Sequence, residues 1–198
     1  MYEQNDDLSI SDVNISSEIT TSHLANDNSL LNLACTNARS IVEKVDALVT
    51  LFEENDLSLA IITETWLSQK KCSKRSMDDL VDGANISFIR KDRCTRGGGV
   101  AICYNDTKIK MSSFPVPNNG VGEMVCGIGS TSLTKRKVAV VAVYLPPSIK
   151  VSELESIMEN LNDLLSRIQT KYEGAIIFVG GDFNKKDIGL FLAANPPP

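Results

Sequence analysis

Four apolar runs in this chain each stop on a polar residue, and that pattern constrains the fold more than any other feature. Leu30-Leu31-Asn32-Leu33-Ala34-Cys35 runs into Thr36-Asn37, and Leu59-Ala60-Ile61-Ile62 runs into Thr63-Glu64. Val138 to Val143 ends at Tyr144, and Ala175 to Val179 closes on Gly180-Gly181-Asp182-Phe183-Asn184. Short apolar runs bounded by turn formers read as buried strands. A polar residue that ends such a strand lies at the carboxyl edge of a sheet, where open α/β folds gather ligands. If the four strands share sheets with matching edges, Asn37, Glu64, Tyr144, Asp182 and Asn184 converge on one cleft. The donor set is oxygen-rich and has no Cys or His cluster, which suits Mg2+ rather than zinc. A carboxylate-held cation beside amide and phenol donors is a site for phosphate chemistry.

Two helices are written in the periodicity. Ser152 with Glu155 reads as a capping box, ahead of the apolar face Val151, Leu154, Ile157, Met158, Leu161, Leu164, Leu165 and Ile168. Ser40 with Glu43 repeats the device ahead of Ile41, Val45, Leu48, Val49 and Phe52. Both read as helices covering a sheet. Further strands are expected at 86–90, 99–104, 124–129 and 137–144, with Lys135-Arg136-Lys137 near a hairpin turn. No internal repeat is visible.

At 198 residues, 42% of them hydrophobic, the chain can build one domain with a sizeable core. Residues 1–29 differ: they carry Glu3, Asp6, Asp7, Asp12, Glu18 and Asp27 without one Lys or Arg, and read as a disordered acidic leader. The formal net charge is −5, so removing those six acids leaves +1 for residues 30–198, a balance compatible with DNA. The leader lacks the basic start and apolar stretch of a signal peptide, and no run approaches the ~18 apolar residues of a membrane span. The expectation is an intracellular protein, nuclear or cytoplasmic and not secreted, with no membrane contact. The five cysteines have no CxxC pair and read as reduced thiols. Lys70, Lys71, Lys74 and Arg75 form one basic loop, and Lys91, Arg93 and Arg96 another; both offer contacts to phosphates, with Lys70, Lys71 and Arg96 the candidates for nucleic acid. Arg96-Gly97-Gly98-Gly99 reads first as a glycine turn feeding the strand from Val100 to Tyr104. Trp66 is placed at the rim of the cleft, packing there or stacking on a base.

The ordered set TNARS, TETWL, RGGGVAI, VYLPP and GDFN resembles the endonuclease/exonuclease/phosphatase superfamily, and most closely the apurinic/apyrimidinic-type endonuclease domain of non-LTR, LINE-like retrotransposons. The resemblance runs from about Leu30 to Asn184. It implies an α/β fold, the four-layer α/β/β/α sandwich called DNase I-like, over residues 30–198. It also implies a Mg2+-dependent endonuclease, with Mn2+ as a substitute and DNA as the partner. Glu64 would bind the metal with Asn37 beside it, and Asp182 would touch the metal site while orienting or deprotonating the attacking water. Asn184 and Tyr144 would hydrogen-bond the scissile phosphate. No obligate protein partner is implied beyond a reverse transcriptase region in a longer parent. Arg39 stands where apurinic-site repair enzymes carry an aspartate, which favours the retrotransposon branch and leaves one carboxylate fewer.

The resemblance also calls for an aspartate-bearing strand and a closing Ser-Asp-His downstream of Asn184. Neither follows in this sequence, whose only histidine is His23 in the leader. The expected sandwich is therefore incomplete at its C-terminus, ending irregularly in Pro196-Pro197-Pro198. An exposed sheet edge and low solubility are expected of it. Two other readings stay open: a non-catalytic remnant that binds nucleic acid or protein, and a phosphatase acting on phosphoinositides or small phosphodiesters.

Overall fold

The computed structural model describes residues 31–41, 43–67, 81, 83–93, 97–117, 122–131 and 134–184. Strand β1 (Leu33–Asn37) leads through helix α1 (Val45–Glu54) to strand β2 (Leu59–Thr63), and β1 and β2 pair in parallel. Near the other end, strand β7 (Thr134–Tyr144) leads through helix α2 (Val151–Lys171) to strand β8 (Ile176–Asp182), again a parallel pair. Parallel neighbours need a crossover, and here each crossover is a helix. Between the two units run β3 (Ile86–Lys91), β4 (Val100–Asn105), β5 (Ile109–Phe114) and β6 (Glu123–Thr131), joined by antiparallel pairing. The first sheet has the order β1-β2-β4-β3 and the second β5-β6-β7-β8.

Three apolar clusters stack these elements into four layers. Val45, Leu48 and Phe52 of α1 pack on Ala34, Ala60, Ile62, Ala101 and Cys103, one face of the first sheet. The alternate residues of the same strands, Leu59, Ile61, Val100 and Ile102, meet Val138, Val140 and Ala142 between the sheets. Ala139, Val141 and Val143 on the far face of the second sheet take Ile157, Leu161, Leu164 and Ile168 of α2. The period of two along each strand thus supplies both of its faces. β2 and the Val138–Tyr144 stretch of β7 are buried at every position because both faces are covered. This is the α/β/β/α sandwich.

Several local expectations are corrected. The helix after Ser40 starts at Val45, without a side-chain cap: Arg39 and Ser40 have positive φ, 46° and 90°, and the Ser40 N–H that a capping box would give to Glu43 is given to the Glu64 carbonyl. In α2 the reciprocal contact is made two residues earlier than Ser152 and Glu155: the Glu153 carboxylate accepts the Lys150 N–H at 2.8 Å. Val151, assigned to the apolar face, is 73% exposed. β5 was not expected at all. Lys110, Ser112 and Ser113 dilute its apolar pattern, and it stands as an edge strand among the described residues, anchored by buried Ile109 and Phe114. β1 and β8 continue past their apolar runs to Asn37 and Asp182, since backbone pairing with β2 and β7 does not stop where hydrophobicity does.

Candidate active site

Both parallel pairs deliver their polar ends to the same end of the sandwich. Asn37 stands opposite Thr63 in the β1–β2 register, so Glu64 follows one residue beyond it. In the second sheet Tyr144 stands opposite Asp182. The Asn37 amide joins the two halves: its Nδ2 donates to Glu64 Oε1 at 3.0 Å and to Asp182 Oδ2 at 2.8 Å. Its Oδ1 accepts the Arg39 N–H at 3.2 Å, which orients the amide so that its NH2, the only donor it has, faces the carboxylates. A cleft of about 480 Å3 opens here, lined by Cys35, Thr36, Asn37, Arg39, Thr63, Gly181, Asp182 and Phe183.

The backbone around Glu64 is wound tightly. Glu64 and Trp66 both have positive φ, 52° and 55°, a region that costs a non-glycine residue roughly 1–2 kcal/mol. Hydrogen bonds on both sides hold the turn: the Glu64 carbonyl accepts the Ser40 N–H, while the Thr65 and Trp66 N–H groups donate to the Gly99 and Gly98 carbonyls. Gly99 has φ 89°, and a Cβ on it would lie 2.2 Å from Thr65 Oγ1. The glycine turn therefore feeds β4 as expected, and it also clamps the Glu64 turn. Trp66 is 37% exposed beside it.

Asp182 ends β8 in a different setting. Gly181 has φ 143°, and a Cβ there would approach Val143 O to 1.8 Å, so only glycine lets β8 lie this close to β7. The Asp182 carbonyl accepts the Leu145 N–H at 2.9 Å, and its Oδ1 accepts the Asn184 N–H at 3.1 Å. Asn184, at φ 51°, gives one amide hydrogen to the Leu145 carbonyl at 2.9 Å, which ties it to the residue after Tyr144. Tyr144 is buried, and burial raises the pKa of its phenol, helped by the negative charges of Glu64, Asp182 and Glu123. It remains a protonated donor at neutral pH. Burial likewise pushes the Cys35 thiol up, against the pull of the Gly181 N–H and with the help of Asp182, so this thiol in the cleft wall is a poor nucleophile.

The structure joins Asn37, Glu64 and Asp182 by direct contacts and sets Asn184 and Tyr144 beside Asp182, while of these five only Asn37 and Asp182 line the cleft. Lys70, Lys71 and Arg96 lie outside the described residues, as do residues 1–29 and the proline-rich end. One charged group was not singled out by sequence reasoning. Glu123, first residue of β6 and 8% exposed, stands opposite Tyr144 in the register, accepts the Gly99 N–H and pairs with Arg93 at 3.4 Å. Its signal was a single acid opening the apolar stretch Met124-Val125-Cys126.

Four layers, with two parallel strand pairs ending in carboxylates at one rim, define the DNase I-like fold. Compared by sequence alone, the chain matches no protein-family profile and no curated protein. Solved structures do match. Mannosyl-6-phosphatase of Bacteroides thetaiotaomicron VPI-5482 is 14% identical with a TM-score of 0.61, over 83% of this chain and 70% of that one. A humanized D. rerio TDP2 gives 15% and 0.59, over 85% of this chain and 72% of its own. D. rerio TDP2 complexed with a single strand DNA product gives 16% and 0.54, over 80% of this chain and 60% of its own. These neighbours are endonuclease/exonuclease/phosphatase superfamily members, and at such identities the likeness establishes the fold.

Proposed function

We propose that this chain is the metal-dependent phosphodiesterase part of a DNA endonuclease of retrotransposon origin, working on DNA in the nucleus or cytoplasm. The observation that carries the proposal is the Asn37 amide held between Glu64 and Asp182, two carboxylates from different sheets brought to one point. Two like charges gathered this closely call for a cation. Among the described residues no group of three or more His, Cys, Asp or Glu side chains is placed to hold a metal ion, so the candidate set is these two carboxylates. Two carboxylates among oxygen donors fit Mg2+ or Mn2+, which keep waters and take substrate oxygens, and do not fit zinc. When bound, such an ion neutralises charge building on phosphoryl oxygens and activates water.

The chain's own residues supply the rest. Glu64 would be the principal ligand of such an ion, and Asn37 holds it in register with Asp182. Asp182, with Oδ1 fixed by the Asn184 N–H, accepts the proton of the attacking water. Tyr144, kept protonated by burial and surrounding negative charge, donates to a phosphoryl oxygen. Asn184 uses one of its amide hydrogens on the Leu145 carbonyl, which leaves the other to donate to a phosphate. DNA is favoured as substrate by the DNA product in the D. rerio TDP2 complex, and by the order of motifs from TNARS to GDFN. The mannosyl-6-phosphatase neighbour favours a second reading, hydrolysis of a small phosphate ester at the same residues.

The test is nicking of supercoiled plasmid in Mg2+ or Mn2+, beside hydrolysis of small phosphate esters. Nicking that falls at least about a hundredfold in Glu64→Ala and Asp182→Ala is the expected result. Small-ester turnover without nicking would move the substrate to the second reading. A folded chain that does neither would overturn both and leave a non-catalytic binding protein. Asn37→Ala is expected to weaken Mn2+ binding about 10- to 100-fold by calorimetry, the usual consequence of losing an outer partner of a metal ligand.

A further inference from the structure

We infer that Glu123 is a positioning residue for Glu64, acting across the sandwich through the glycine turn. The path is short and each link is a contact. Glu123 opens β6 in the second sheet, and one carboxylate oxygen accepts the N–H of Gly99. The Gly99 carbonyl accepts the Thr65 N–H at 3.3 Å, and the Gly98 carbonyl accepts the Trp66 N–H at 2.9 Å. Thr65 and Trp66 directly follow Glu64, whose positive φ is a strained conformation that these hydrogen bonds help to hold.

The fit around Glu123 is close. A Cβ on Gly98 would lie 2.7 Å from Glu123 Oε1, and Gly98 and Gly99 both have positive φ. The glycines let backbone rather than side chain face the carboxylate. The other oxygen meets Arg93 Nε at 3.4 Å, Lys91 adds positive charge, and Tyr144 faces the group from β7. A carboxylate taken out of water carries a cost that a purely packing role would not repay. Burial does raise the Glu123 pKa, opposed by the Gly99 N–H and by Arg93 and Lys91. Asp182 and Glu123 thus tie the second sheet to the first at the same rim, one through Asn37 and the other through Gly99.

What matters in this arrangement is the reach of the acceptor, not its charge. Glu123→Gln keeps the reach and loses the charge; Glu123→Asp keeps the charge and loses the reach by one methylene. Two readouts decide the matter in the full chain. Hydrogen exchange of the Thr65 and Trp66 amides needs no metal, and in Glu123→Asp these amides are expected to exchange at least about tenfold faster while Val140 and Leu164 stay unchanged. Tb3+ luminescence sensitised by Trp66, the only tryptophan of the chain, reports a cation at Glu64, with Glu64→Ala as the blank. Here Glu123→Asp is expected to weaken Tb3+ binding about tenfold, and Glu123→Gln to bind within about threefold of the natural chain. Loss in Gln with retention in Asp would overturn the proposal, as would unchanged exchange in both. The metal readout rests on the proposed function; the exchange readout does not. A natural chain that binds no Tb3+ yet shows faster Thr65 exchange in Glu123→Asp would sink the metal reading and keep the positioning one.

Discussion

The two parallel units, β1-α1-β2 and β7-α2-β8, have the same connectivity and present an acid at the same rim, yet they hold it differently. β2 lies inside its sheet between β1 and β4, and all its residues are buried. β8 is an edge strand among the described residues, partly exposed along its length, with Val179 at 41%. Glu64 sits on a strained turn stapled from both sides, whereas Asp182 ends a strand that, among the described residues, pairs only with β7. The same βαβ unit thus places its acid after a fully buried strand in one sheet and at the end of a partly exposed strand in the other. Asn37, given to both carboxylates, links the two settings.

Matched truncations test this contrast most strongly. Ile61→Ala in β2 removes a side chain that is 1% exposed and packs toward Gly180, and is expected to cost about 2–5 kcal/mol in urea unfolding. Ile177→Ala in half-buried β8 should cost less than about half of that. Equal costs would show that β8 is as interior as β2. Next comes Gly181→Ala, where the added Cβ would strike Val143 O; a loss of about 1–3 kcal/mol is expected despite the edge position. A neutral result would mean that the end of β8 moves freely, which would loosen Asp182 further.

Thiol chemistry probes the interiors of both sheets with a smaller effect. Burial pushes the Cys126 thiol from its ordinary 9.0 up to about 12, and raises Cys103 as well. Because these folded values exceed the unfolded one, the stabilisation they give is complete below about pH 9 and is lost as the pH climbs toward the folded values. Stability should decline across that alkaline window, and Cys103 and Cys126 should resist alkylation at pH 8 until the chain unfolds. Labelling of either in the native state would contradict the closed cores. The smallest effect is expected at the Lys108–Asp56 pair, whose acid side chain is 82% exposed: Lys108→Met should change the unfolding free energy by less than about 1 kcal/mol.

Much of this was legible along the chain. The strands at 59–62, 86–90, 99–104, 124–129 and 137–144 and the apolar face of α2 follow from periodicity and are found. The five polar strand-end residues were identifiable because each interrupts an apolar run. β5 escaped because an edge strand need bury only its ends. The Ser152–Glu155 box was misplaced because the helix starts at Val151 with Glu153 accepting the Lys150 N–H, and the Ser40–Glu43 box because spacing does not reveal which backbone N–H groups are already committed elsewhere. Ser40 and Ile41 are committed to the Glu64 turn, a partner more than twenty residues away. Glu123 escaped because a lone acid at the start of a strand is ordinarily solvated, and only its position opposite Gly99 gives it a task.

The sequence by itself determined the alternation of buried strands and amphipathic helices and the residue types at their ends, because burial and periodicity are local properties. Tertiary structure decided that β1–β2 and β7–β8 lie in different sheets facing each other, that one amide spans their two acids, and that a glycine turn and a buried glutamate lock one of them. Those are contacts between residues far apart in the chain, and no local propensity encodes which backbone groups meet once two sheets have stacked.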